Sequence, residues 1–109
     1  MESYIENALG GKHLKVKLGG KEYNTYFSID RYSIGRRTAI ELICSEDQSP
    51  FCTLTTNLPH VELEEQEVLI KTWSENEEIA KAALTSGLFR DTGKRVSTGF
   101  VQAEVWEVL

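Results

Sequence analysis

No apolar run in this chain approaches the ~20 residues that a membrane-spanning helix requires. The first six residues, Met1-Glu2-Ser3-Tyr4-Ile5-Glu6, are acidic and carry no hydrophobic signal core. A cytoplasmic location in a bacterial host is the expectation. Cysteine is scarce: Cys44 and Cys52 lack C-x-x-C spacing, a nearby histidine and a third thiol, which argues against metal binding. The two flank the turn-like segment Ser45-Glu46-Asp47-Gln48-Ser49-Pro50 and read as cross-strand neighbours. They are either two buried thiols on one apolar face or a disulfide or redox pair.

Histidine is equally thin. His13 and His60 each stand alone in sequence, and neither is set beside a nucleophile or carboxylate that would mark a catalytic triad. The glycine pairs Gly10-Gly11 and Gly19-Gly20 match neither a phosphate loop nor a dinucleotide fingerprint. Thr92-Gly93-Lys94 has no glycine-spaced cradle before it and reads as part of the turn Asp91-Thr92-Gly93-Lys94. Glu62, Glu64, Glu65 and Glu67 lack the glycine and regular oxygen spacing of a calcium loop. No catalytic residue, metal ligand or cofactor is assigned, and no internal repeat or linker interrupts the chain.

What is present is the patterning of one small α+β domain, residues 1–109, with room for a single core. Ser3 to Leu9 reads as a short helix, Ser3 and Glu6 forming a capping box and Gly10-Gly11 ending it. His13 to Leu18 alternates strictly, with Leu14, Val16 and Leu18 inward, and Gly19-Gly20 supplies a tight hairpin turn. That register sets Val16 against Tyr23 and Leu14 against Thr25. Thr38–Ser45, Phe51–Asn57, Val68–Trp73 and Phe100–Val108 follow as strands, the last with apolar residues on both faces. The major helix is expected over about 75–86, packed on one face of a mainly antiparallel sheet of five to six strands. Ser74 and Glu77 have the spacing of a capping box at its start, and Gly87 is placed to end it.

Charge is distributed unevenly. Residues 12–37 carry seven cations against Glu22 and Asp30, a net of +5, while residues 62–78 carry seven carboxylates against Lys71, a net of −6. The whole chain is at −5, which disfavours general nucleic-acid binding and suits docking to a basic partner. On the acidic side the candidate partner-binding residues are Glu62, Glu64, Glu65, Glu67, Glu75 and Glu78, with Glu77 reserved for the cap. On the basic side Lys15, Lys17, Tyr26, Arg36 and Arg37 form the alternative, an aromatic-basic sheet face able to hold single-stranded nucleic acid.

Three pieces carry a resemblance: Pro50-Phe51-Cys52-Thr53-Leu54-Thr55-Thr56-Asn57-Leu58-Pro59, Trp73-Ser74-Glu75-Asn76-Glu77 and Thr98-Gly99-Phe100-Val101. In their order they resemble an uncharacterised family of small proteins carried by phages, plasmids and other mobile elements. In size and acidity the chain is also similar to mobile-element anti-CRISPR proteins that act on type II effector nucleases. The resemblance brings no site pattern, so no residue role is transferred. It implies a non-enzymatic anti-defence inhibitor that binds a host protein with a basic nucleic-acid groove, the effector nuclease or its guide-RNA assembly. The alternative is a nucleic-acid-binding accessory protein of the mobile element, and a third class is a small nuclease acting on guide RNA.

Overall fold

The computed structural model describes residues 4–109. Ser3, half of the first expected capping box, lies outside them. The chain is α+β, its described residues forming seven strands in two antiparallel sheets and two helices. Helix α1 (Tyr4–Leu9) buries Ile5 and Leu9 and closes with the Gly10 amide on the Glu6 carbonyl at 2.9 Å. Gly11 then takes φ 78, a conformation that costs glycine little.

The hairpin β1 (His13–Leu18) and β2 (Lys21–Arg31) forms in the expected register, Val16 facing Tyr23 and Leu14 facing Thr25. Gly19 and Gly20 both have positive φ, as a two-residue turn of the primed type demands. Strands β3 (Thr38–Cys44) and β4 (Pro50–Thr53) complete the first sheet in the order β1-β2-β3-β4. A register shift between Leu42 and Ile43 sets Cys52 opposite Leu42, while Cys44 stands opposite Thr25. The two cysteines are therefore not cross-strand neighbours; both are free and partly buried.

The second sheet has the order β5-β7-β6, from β5 (Glu67–Ile70), β6 (Phe89–Ser97) and β7 (Gln102–Val108). Strand β6 was not anticipated. The supposed turn Asp91–Lys94 is instead a bulge inside it, with Thr92-Gly93-Lys94 standing opposite the single residue Val105. Asp91 Oδ1 accepts the Gly93 amide at 2.9 Å, and Thr92 Oγ1 donates to the Val105 carbonyl at 2.6 Å. The turn chemistry is real, but it bends a strand and does not end one.

The sheets meet where the chain leaves β4. Leu54 donates to Ile40, Lys71 donates to Leu54, and Thr56 donates to Leu69, so backbone bonds around the Thr55–Ile70 bridge link the two sheets. Helix α2 (Asn76–Thr85) packs against β1 and β6, an edge strand of each sheet. Its Ile79, Ala80 and Ala83 enter a core shared with Ile5, Leu9, Val16, Phe27, Ile40, Leu42, Ile70 and Trp106. The other face of the second sheet carries a smaller cluster, in which Leu58, Val61, Leu63 and Trp73 cover Leu69, Ala103 and Val105. Both faces of β7 are thus covered, as its double apolar pattern requires.

The start of α2 departs from expectation. Ser74 has φ 56 and makes no capping box; the residue flanking the helix is Glu75, in helical conformation and without a side-chain cap. The bend is held by backbone bonds, Asn76 to Trp73 at 3.1 Å and Glu77 to Ser74 at 3.2 Å. The Asn76 side chain turns inward and donates to the Thr53 carbonyl at 2.9 Å, tying the helix to β4. Gly87 ends the helix in the left-handed region, φ 84. No helix among the described residues is long and apolar enough to cross a membrane.

Candidate functional site

The segment between β4 and β5 runs across the outer face of the second sheet. Leu58, Val61 and Leu63 point down into the smaller cluster, so the intervening Glu62 and the following Glu64 and Glu65 are left exposed. The segment is pinned at several points. The Arg37 guanidinium donates to the Val61 carbonyl, and Asn57 Nδ2 donates to the Ile34 carbonyl at 3.1 Å. Glu67 Oε1 accepts the Glu64 amide at 2.9 Å, while its Oε2 accepts from Lys94 Nζ at 2.6 Å. Arg37, Glu62, Leu63, Glu64, Glu67 and Lys94 line a polar cavity of about 360 Å³.

These contacts divide the expected acidic set. The Glu67 side chain is 6% exposed and is committed to Lys94 and to the backbone. It is a structural anchor and not a contact carboxylate. Burial raises its pKa, but the Glu64 amide and Lys94 together outweigh that and hold it below the ordinary 4.5. Glu62, Glu64 and Glu65 form no ion pair among the described residues. Glu75 and Glu78 are exposed at the start of α2, where Glu78 reaches Lys81 at 3.5 Å. Glu77, set aside for the cap, lies 3.8 Å from the same lysine and is just as exposed.

The two acidic groups lie at opposite ends of β5, because Glu67 opens that strand and Glu75 to Glu78 follow its far end. Helix carboxylates here also meet the partial positive charge of the helix N-terminus.

The basic alternative is dispersed. Lys15 is 3.9 Å from Glu22, and Lys17 stands opposite Glu22 across the hairpin. Tyr26 donates its hydroxyl to Gln48 at 2.5 Å and meets the His13 ring edge-on. Arg36 is exposed in the β2–β3 connection, while Arg37 faces the acidic loop. The outer face of β2 and β3 adds Ser28, Asp30 and Glu41 around a cavity of about 230 Å³. Those carboxylates oppose phosphate contact.

Two features escaped the sequence reading. The larger is a cleft of about 460 Å³ between α2 and the second sheet, where Ala80, Leu84 and Trp106 meet Glu77, Asp91 and Glu104. Its carboxylates are engaged: Asp91 with Arg95 at 2.8 Å, Glu104 with Arg95 at 3.7 Å and with the Trp106 indole at 2.9 Å. The Arg95 bonds dominate in lowering the Asp91 pKa. The other is the pair of braces on the acidic loop, Lys94 on Glu67 and Arg37 on the Val61 carbonyl. Neither could be seen without β6, which supplies Asp91, Lys94 and Arg95. Among the described residues no three histidine, cysteine or acidic side chains gather as a metal site.

Comparison with known proteins gives no match: no family model, no curated protein and no solved structure is similar to the chain.

Proposed function

We propose that the protein is a non-enzymatic binding protein whose acidic loop docks in the basic nucleic-acid groove of a partner. The observation that carries this reading is the pinned loop with Glu62, Glu64 and Glu65 exposed and unpaired above it. A loop already fixed loses little conformational entropy on binding. Carboxylates that form no ion pair within the protein are available for steering and complementarity. Glu75 and Glu78 extend the negative surface at the other end of β5.

The resemblance to mobile-element proteins makes a type II CRISPR effector nuclease the natural target, and the protein an anti-defence inhibitor in the bacterial cytoplasm. The test is a titration of DNA cleavage by a purified effector nuclease, with and without guide RNA. Inhibition that saturates at one protein per nuclease, with guide RNA intact, is the expected result. Cleavage undiminished at excess protein contradicts the choice of target, and guide RNA degraded at substoichiometric protein contradicts the non-enzymatic reading.

A further inference from the structure

Strands β6 and β7 are joined by a tight turn. The Thr98 amide donates to the Val101 carbonyl at 2.8 Å, and Gly99 takes φ 94, a left-handed value that suits glycine. The next residue is Phe100. Its exposure is 108% of its reference area, against 68% for Ile34, the next most exposed large apolar side chain among the described residues. A phenylalanine in that position contributes nothing to the core and is held out at the end of a hairpin.

The register of the second sheet gives its surroundings. Glu67 faces Glu107 and Ile70 faces Glu104, so the hairpin tip projects at the Ile70 end of the sheet. There the chain passes through Trp73 into α2 and its Glu75, Glu77 and Glu78. The cations of β6 are taken: Arg90 by Glu107, Lys94 by Glu67, and Arg95 by Asp91 and Glu104. On a chain of net charge −5, an exposed aromatic ring is poorly placed to stack on a nucleobase or to enter an anionic bilayer, because both bring further negative charge. It suits an apolar pocket on a protein, rimmed by lysine or arginine.

We infer that Phe100 is the apolar anchor of the complex, inserting into a base-rimmed pocket on the partner while the carboxylates supply the surrounding charge. The inference rests on the docking reading above and adds to it the place where binding strength is concentrated. Steering and anchoring then separate by rate. Charge on the loop sets association, and burial of the ring sets dissociation.

The test compares wild type, Phe100→Ala, Phe100→Trp and the Glu62→Lys/Glu64→Lys/Glu65→Lys variant for binding kinetics on the purified effector nuclease. Phe100→Ala is expected to melt as wild type does and to bind about 30-fold more weakly or worse. The loss should lie in faster dissociation, with Phe100→Trp retaining most of the affinity. The lysine variant should instead slow association. Wild-type binding that Phe100→Ala leaves unchanged overturns the anchor and spares the acidic loop. A wild type that fails to bind overturns the target and the anchor with it. A clearly lowered melting temperature for Phe100→Ala, or wild-type self-association abolished by that change, also overturns the anchor by giving the ring another task.

Discussion

Ser74 occupies the left-handed region at φ 56, a conformation that costs an L-residue about 1–2 kcal/mol. Glycine avoids that strain and loses some of the gain to unfolded-state entropy. Ser74→Gly should therefore stabilise the protein by up to about 1 kcal/mol in urea denaturation; a capping serine would give a loss of a few tenths. Cys52 has its thiol pushed up to about 11, mainly by burial, with Lys71 opposing and Glu41 and Glu75 adding to the rise. Near pH 8, about one unit below the ordinary thiol range, it should react with thiol reagents far more slowly than a free cysteine peptide, and at full speed once unfolded. Glu67 has the opposite sign. Its folded pKa lies below the ordinary 4.5, so its contribution is complete above that value and is lost as pH falls through the folded one. Between about pH 6 and about pH 3 the melting temperature of Glu67→Gln should fall less than that of wild type.

At the scale of elements, the hairpin β1–β2 and helix α2 were legible because strict alternation, paired glycines and a 3.6-residue apolar stripe are signals that tertiary packing reinforces. Strand β6 was not. Its sequence Phe-Arg-Asp-Thr-Gly-Lys-Arg-Val-Ser buries only Phe89 fully, and its middle bears turn residues that serve a bulge. The capping box failed for a related reason. Ser74 and Glu77 have the right spacing, but Trp73 packs in the smaller cluster and Asn76 is drawn to β4. The chain can meet both demands only by a sharp bend at Ser74. Asn76→Ala should cost about 1–3 kcal/mol, because the side-chain hydrogen bond to the Thr53 carbonyl that ties α2 to the first sheet is lost. Equilibrium unfolding in urea measures it, and a change below a few tenths removes the tie from the account.

At the scale of the whole molecule, the acidic candidates could be read from composition, but not which of them are free. Glu67 carries the same charge as Glu62 and Glu64. Only the pairing of β6 with β7 brings Lys94 to it and turns a contact residue into a brace. The basic set is divided likewise, since Arg37 lies in a basic stretch of sequence and faces the acidic loop in space. What remains is a net −5 chain with Glu62, Glu64 and Glu65 held out on a pinned loop. The central claim is that these three charges drive docking. Its most direct test is the affinity of wild type and of the Glu62→Lys/Glu64→Lys/Glu65→Lys variant for the purified effector nuclease, each at about 50 and about 300 mM salt. The account predicts tight wild-type binding that weakens steeply with salt, and a folded variant that has lost most of its affinity. A variant that binds as tightly as wild type, with the same salt dependence, contradicts it.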